Sequence, residues 1–235
     1  MANEYLPPTS RLLLIWFALL NPWTLLPAGL AVAGIALYTP FKRRWWGGPP
    51  WNSWVVAMLP LLGVLLAGGT PAQALARADV WLAMGSVYFS YAVFVLLGYF
   101  KDVEADRATG YDTLVVHFGR RPAVWVSALH AVLAIVCSLV LLRTAARATL
   151  GSPGGLTGGA LWLAGAVALG VSHPKIAATS RDDEAHAAIA LVVMGYVALH
   201  LGEAVLLRPG FALAAVLIFP LSVLMLARRP EKTQV

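Results

Sequence analysis

Long apolar blocks separated by short polar loops dominate this sequence and restrict what it can fold into. Hydrophobic residues make up 60% of the 235-residue chain and charged residues 12%, whereas about a quarter of the residues in a soluble domain are charged. The block at 79–99, taken as a helix, is about 32 Å long at ~1.5 Å per residue, enough to cross the core of a bilayer. The pattern predicts an all-α polytopic membrane bundle of about seven or eight transmembrane helices. The candidate spans are 10–21, 23–39, 54–69, 79–99, 122–142, 156–173, 185–206 and 210–227.

No low-complexity segment, long linker or strong internal repeat divides the chain, so residues 1–235 are predicted to form a single integral-membrane domain. A net charge of +6 is also found in proteins that bind nucleic acid. In a membrane protein, however, Lys and Arg collect in the loops on the cytoplasmic side. The expected partner is therefore the lipid bilayer of a bacterial-type plasma membrane, and no nucleic-acid partner is expected.

The basic residues are distributed unequally between alternate loops. If loop 40–53 is cytoplasmic, alternation of the spans puts 100–121, 174–184 and 228–235 on the same side. That side carries Lys42, Arg43, Arg44, Lys101, Arg107, Arg120, Arg121, Lys175, Arg181, Arg228, Arg229 and Lys232. The other side carries only Arg77, Arg143, Arg147 and Arg208. The positive-inside rule then predicts that loop 100–121 faces the cytoplasm.

An acidic cluster lies in that loop, where Asp102, Glu104, Asp106 and Asp112 account for four of the 11 acidic residues of the chain. Such a cluster is either a loop in water or a cation site. Asp102 and Asp106 are spaced i,i+4 and would share one helix face, where their charges repel unless a cation lies between them. Mg²⁺ is usually held by one or two carboxylates together with substrate phosphates. An interfacial Mg²⁺ site would suit a substrate with a diphosphate head and a hydrocarbon tail.

Three segments carry a resemblance to a known family. The string at 102–119, which begins Asp102-Val-Glu-Ala-Asp106 and continues through Gly110 to Thr113-Leu, resembles the second Asp-rich motif, DxExDxxxGxxTL, of the UbiA-type intramembrane prenyltransferases. The segment from Tyr38 to Arg44 resembles the family's Tyr-Ser/Thr-Pro…Lys-Arg loop, with Asn52 following where the next helix begins. Residues 183–189 resemble the start of a late helix in many bacterial members. The resemblance spans nearly the whole chain.

This resemblance implies a helical fold around a cavity that opens sideways to lipid, and it implies a reaction. An isoprenyl diphosphate donor ionises with the help of Mg²⁺, and the allylic carbocation alkylates an aromatic quinone or pigment precursor or a lipid acceptor. Asp102, Asp106 and Lys42 would then be catalytic, and Asp102, Asp106 and Glu104 would form the metal set. The substrate-binding residues would be Tyr38, Lys42, Arg43, Asn52, Lys101 and Arg107.

The chain departs from the family pattern at two places. The first Asp-rich motif, NDxxDxxxD, is absent, and the first recognisable helix resembles the family's third, so the first two helices are expected to be missing. The family commonly has Lys or Arg at the position of Asp112. Three explanations stay open: a truncated enzyme, a short form that needs one motif or a partner chain supplying the other, and a non-catalytic subunit that binds lipid or quinone.

Two further groups of polar residues invite a functional interpretation. His200 and Glu203 lie within an apolar span, where such a pair can mark the ion path of a transporter. Because Glu203 falls near the end of its helix, it is predicted to form an interfacial pair. Asp182 and Asp183 could replace the missing carboxylates, but the spacing after Ser180 favours helix capping.

Overall fold

The computed structural model describes residues 8–143 and 149–228, which form α-helices and 3₁₀ turns joined by short loops. The helices are α1 (Pro8–Leu20), α2 (Leu25–Lys42), α3 (Gly48–Leu66), α4 (Pro71–Leu75), α5 (Ala78–Gly98), α6 (Val103–Thr109), α7 (Leu114–Phe118), α8 (Arg120–Leu142), α9 (Pro153–Ala177), α10 (His186–Leu207) and α11 (Ala212–Ala227). Within these two ranges there is no β-strand. The prediction of an all-α bundle is confirmed.

Seven helices of the described residues are long and apolar enough to cross a membrane. Four of these spans include a 3₁₀ turn, so a span such as Ala78–Lys101 is longer than its α-helix, Ala78–Gly98. The predicted span at 10–21 is not among them. That segment forms α1, whose 13 residues extend only about 20 Å, less than the thickness of the hydrocarbon core.

Glycines bring α9 and α10 unusually close together. A Cβ atom added to Gly165 would lie 2.4 Å from the backbone nitrogen of Leu199, and one added to Gly202 would lie 2.4 Å from that of Trp162. Small residues permit the two backbones to approach closely. In lipid, where the hydrophobic effect does not drive helices together, the van der Waals contacts of such close packing stabilise the pair. α5 lies at the centre of the bundle, where it packs against α3, α8 and α10.

Contacts between distant loops define the two ends of the bundle. At one end, Lys42, the last residue of α2, pairs with Asp106 on α6, and Arg120 at the start of α8 pairs with Asp182 before α10. We call this end the motif face. At the other end, the Asn21 amide donates hydrogen bonds to the carbonyls of Leu65 and Gly69. Loops 40–53, 100–121 and 174–184, which were predicted to share a side on the basis of charge, therefore meet at one end of the bundle. The fourth segment of that prediction, 228–235, lies outside the described residues except for Arg228.

His200 and Glu203 do form a pair, as predicted, but the prediction that the pair is interfacial is wrong, because Glu203 is only 6% exposed. Its Oε1 accepts a hydrogen bond from Ser86 on α5 at 2.6 Å, and its Oε2 lies 2.7 Å from Nδ1 of His200. The Nε2 atom of His200 in turn lies 2.9 Å from Oγ of Ser90. Proximity to the end of a helix did not reveal that neighbouring helices cover this position.

Four polar side chains form a connected arrangement around this pair. The Ser90 hydroxyl lies 2.6 Å from the Ser86 carbonyl and 2.9 Å from Nε2 of His200. Nδ1 of the same ring lies at one carboxylate oxygen of Glu203, and the other oxygen accepts from Ser86. Each buried polar side chain of the pair therefore has a partner within the bundle.

We expect replacement of Glu203 by Leu to destabilise the protein. The substitution leaves the Ser86 hydroxyl and the His200 ring buried without their acceptor, and each such group costs about 1–3 kcal/mol. The measurement is thermal unfolding in detergent micelles. Glu203→Gln keeps an oxygen for Ser86 and should lose less stability than Glu203→Leu. An unchanged melting temperature for Glu203→Leu would contradict this account of the pair.

Candidate functional site

The acidic pair lies where the central helix ends at the motif face. α5 stops at Gly98 and is followed by a 3₁₀ turn at Tyr99–Lys101. Asp102 then leaves helical geometry, with φ −118° and ψ 14°, and α6 begins at Val103. The Asp106 N–H donates to the Asp102 carbonyl at 2.7 Å. The two aspartates are therefore one helical turn apart, as their i,i+4 spacing predicted.

Lys42 reaches the acidic pair from the end of α2. Its Nζ lies 2.9 Å from Oδ1 of Asp106, which is only 3% exposed. The same ammonium lies 5.6 Å from the ring centroid of Tyr99 and 4.7 Å from that of Tyr111. Aromatic rings at these distances attract a cation through their negative faces. Lys42 is thus surrounded by one carboxylate and two rings.

Gly110 shapes the chain so that Tyr111 can return to this lysine. It ends α6 with φ +72°, in the left-handed region that glycine adopts without steric cost. The next N–H, that of Tyr111, donates back to the Asp106 carbonyl at 2.9 Å. This turn reverses the chain and places the Tyr111 ring over Lys42. Glycine at this position of the motif is therefore explained by the site itself, because the turn brings Tyr111 to Lys42.

One oxygen of the buried aspartate has no hydrogen-bond partner. Lys42 occupies Oδ1 of Asp106, whereas Oδ2 is buried and makes no hydrogen bond to any residue that the structure describes. Buried polar atoms are rarely left in this state. Asp102, one turn away, is partly exposed, and Lys101 Nζ lies 4.0 Å from its Oδ1. An unpaired buried oxygen beside a second carboxylate is suited to a divalent cation.

The electrostatics at Asp102 also suit a divalent cation at this position. Burial raises the pKa of its carboxyl above the ordinary value, the Lys101 ammonium opposes this rise, and the Asp106 carboxylate adds to it. The charged form of Asp102 is therefore held at a cost that an additional positive charge would reduce.

Glu104 lies on the other side of α6. It is exposed and lines a cavity of about 650 Å³ with Arg107, Arg120 and the segment 180–183. Among residues 8–143 and 149–228, no group of three His, Cys, Asp or Glu side chains is arranged to hold a metal. Of the three predicted metal ligands, the structure brings Asp102 and Asp106 together and turns Glu104 away from them.

The remaining predicted binding residues differ in their placement. Lys101 lies beside Asp102, whereas the Arg43 and Arg107 side chains are exposed at the motif face. Tyr38 lies near the start of α3, where a Cβ added to Gly48 would be 3.6 Å from its ring. Asn52 is in the second turn of α3, and no hydrogen bond joins it to the acidic pair within the described part of the chain.

Sequence reasoning missed Tyr99, Tyr111 and Gly48. An added Cβ at Gly48 would come within 1.8 Å of the Tyr99 hydroxyl, so the absence of a side chain there makes room for that ring. Tyr111 lies inside the acidic motif, and its position directly after the glycine turn was the available signal. Tyr99 falls in a run of apolar residues that gives no such signal.

Asp112, the departure from the family pattern, pairs with a residue outside the acidic pair. Its carboxylate lies 2.8 Å from Nδ1 of His117, and the Asp112 side chain is 44% exposed. The charge is therefore directed to solvent and to a local partner.

Comparison with known proteins identifies the family to which the chain belongs. The digeranylgeranylglyceryl phosphate synthase of Thermococcus kodakarensis is 28% identical over 142 residues, which cover 57% of this chain and 46% of that protein. The match thus spans about half the length of that curated relative, and no solved structure matches the chain. The sequence model of the UbiA prenyltransferase family matches residues 9–189, which is most of the chain and includes Lys42, Asp102 and Asp106. This membrane protein belongs to the UbiA prenyltransferase family.

Proposed function

We propose that this chain binds the diphosphate of an isoprenyl donor at Asp102 and Asp106, together with Mg²⁺, and transfers the isoprenyl group to an acceptor within the membrane. The observation that supports this most directly is the buried, unpaired Oδ2 of Asp106 beside the Asp102 carboxylate. Both lie at the end of the central helix, where a charged head can stay in water while an apolar tail enters the bundle. Membership of the family supports the same reaction class.

The chain's own residues would divide the work. Asp102 and Asp106 would hold the metal, which when bound acts as a Lewis acid on the departing diphosphate. Lys42, already at the buried aspartate, would neutralise a diphosphate oxygen, and Lys101 and Arg43 would add positive charge at the motif face. The bond between the isoprenyl carbon and the diphosphate oxygen breaks, and the oxygen keeps the electron pair. The resulting allylic cation alkylates the acceptor, which then loses a proton.

The acceptor is proposed only as a class. The matched relative is named for a glyceryl phosphate that carries geranylgeranyl groups, which supports testing lipid acceptors of that kind. The apolar interior of the bundle is equally compatible with the ring of a quinone or pigment precursor. Both classes should be offered to the protein with the same donor.

A second proposal is a subunit that binds donor, lipid or quinone without catalysing transfer, or that forms half of a two-chain enzyme. It is favoured by one observation: within the described ranges, the carboxylates at the site come from a single segment, and no third ligand joins them. Such a protein would bind a prenyl diphosphate but release no diphosphate on its own. A partner chain would then restore turnover.

Removal of either carboxylate charge should weaken metal-dependent donor binding. We expect Asp102→Asn and Asp106→Asn to weaken Mg²⁺-dependent binding of geranylgeranyl diphosphate by more than about tenfold, since each removes one of the two anionic ligands. The Asn variants retain side-chain size and hydrogen-bonding capacity, so they separate loss of charge from loss of fold. Binding is measured by calorimetry on detergent-solubilised protein, and released diphosphate is assayed in parallel.

Asp112→Asn is the matched control, because Asp112 belongs to the same motif but pairs with His117 in solvent. It should bind donor like the unmodified protein. If the variants at Asp102 and Asp106 also bind like the unmodified protein, the metal site is refuted. Mg²⁺-dependent binding without diphosphate release in the presence of acceptors would favour the subunit over the enzyme.

The glycine turn should be required for the position of Tyr111. Gly110→Ala places a Cβ in the left-handed region, at a cost of about 1–2 kcal/mol, and should weaken donor binding severalfold by displacing the Tyr111 ring from Lys42. Gly110→Asn is the control, because asparagine tolerates this region better than alanine does. The measurement is the dissociation constant for the donor. Equal losses for Ala and Asn would contradict the explanation.

The distribution of basic loops supports a cytoplasmic motif face, which a labelling experiment can test. In a Cys137→Ser background, the exposed positions Glu104 and Arg208 are replaced singly by cysteine. A membrane-impermeant maleimide should label the cysteine at 208 in intact cells and the one at 104 only after permeabilisation. The reverse pattern would place the acidic motif outside.

A further inference from the structure

We propose that Asp182 is a positioning residue for the acidic pair, because it connects α6 to Arg120 and so fixes the backbone on both sides of Asp102. This inference rests on the proposed function, since its consequence is measured as Mg²⁺-dependent donor binding. Asp182 lies in the segment between α9 and α10, far along the chain from the motif. We refer to the ion pair of Arg120 with Asp182 as the clamp.

The two oxygens of Asp182 have different donors. Oδ1 accepts from Nη2 of Arg120 at 2.6 Å, and Oδ2 accepts from the backbone N–H of Glu104 at 2.9 Å. The Glu104 N–H belongs to the first turn of α6, where helix amides have no acceptor within the helix. Asp182 therefore supplies, from a distant segment, the hydrogen bond that the start of α6 lacks.

Arg120 completes the connection on the other side of Asp102. Its Nη2 also lies 3.4 Å from the carbonyl oxygen of Phe100, to which it donates, and its Nη1 donates to Thr179 Oγ1 at 3.2 Å. Phe100 precedes Asp102 by two residues, and Glu104 follows it by two. The clamp thus binds one backbone group before the aspartate and one after it. These two contacts therefore restrain the backbone from which the Asp102 side chain extends toward the site.

Packing alone does not provide this restraint. α6 has only seven residues, too few for a helix to be stable without tertiary contacts. On its outer side, Glu104 and Arg107 line the cavity of about 650 Å³ rather than a packed layer of side chains. The clamp residues are only 24% and 21% exposed, so their charge-assisted hydrogen bonds are partly shielded from solvent. On the side of α6 that faces the cavity, these bonds hold the helix in position.

The other roles considered for this segment fit the structure less well. Asp182 is poorly suited to replace a missing metal ligand, since both of its oxygens are engaged. The predicted capping of α10 by Ser180 and Asp183 is also wrong: Asp183 pairs with Arg181, and the Ser180 N–H donates to Glu184. The i,i+3 spacing predicted a capping box between Ser180 and Asp183, but it is Glu184 that accepts the hydrogen bond from the Ser180 N–H.

The test compares Asp182→Ala with Asp183→Ala, a neighbouring acidic residue whose partner is on the surface. Loss of the groups that orient metal ligands typically lowers metal affinity by about 10–100-fold. We therefore expect Asp182→Ala to raise the Mg²⁺ concentration for half-maximal binding of geranylgeranyl diphosphate at least about tenfold, with unchanged maximal binding. Asp183→Ala should leave that concentration unchanged. Asp182→Asn, which keeps an acceptor for the Glu104 N–H, should fall between Asp182→Ala and the unmodified protein.

Hydrogen exchange of the α6 amides supplies a readout that does not require donor or metal. Faster exchange at Glu104 in Asp182→Ala, but not in Asp183→Ala, is expected. Unchanged exchange, or an unchanged Mg²⁺ requirement in a protein that does bind donor, would overturn the proposal. If Asp182→Ala does not fold, Asp182→Asn is judged by the same two measurements. A lack of donor binding by the unmodified protein would refute the proposed function instead, and the exchange experiment would still decide whether the clamp exists.

Discussion

The absence of water in the bilayer core is the constraint on which this structure depends. Every backbone N–H and C=O in the core must be satisfied within the chain, and helices achieve this segment by segment. Charged side chains then have a low free-energy cost only at the ends of the helices, where water is available. The end of α5 meets both requirements, because the helix stops there and a seven-residue α6 brings the carboxylate of Asp106 to Lys42.

The same constraint explains how much could be predicted. Apolar blocks indicate helices directly, so six of the eight predicted spans, including 23–39, lie within single spans of the structure, and 54–69 overlaps the span Gly48–Leu66. The block at 10–21 failed because apolar character does not measure helix length, and α1 ends at Leu20. The relation of Asp102 to Asp106 is local and follows from helical periodicity. The boundaries of α6 and α7 depended on turns that the sequence only partly indicates.

Contacts between distant segments were less accessible. Lys42 and Asp106 are 64 residues apart, and only the family resemblance connected them in advance. The clamp joins positions 104, 120 and 182, which no periodicity relates. Glu203 shows the opposite error: its place in the sequence favoured the interface, but Ser86 and His200 surround it in three dimensions. Burial of a polar residue in a bundle depends on which helices are neighbours, and one sequence does not state that.

The charges at the motif face indicate why metal and donor should bind together. Asp102 and Asp106 face the ammonium groups of Lys42 and Lys101, so the formal charge of this group is balanced. A balanced site is inexpensive to keep near the interface, but it offers little net attraction to a diphosphate. In the proposed complex, Mg²⁺ would make the site positive and would occupy the oxygen of Asp106 that Lys42 leaves free. The lysine then needs only a small change of partner, from carboxylate to diphosphate oxygen. Strong attraction for the donor would therefore arise when the metal is present, which keeps the empty site compatible with its membrane position.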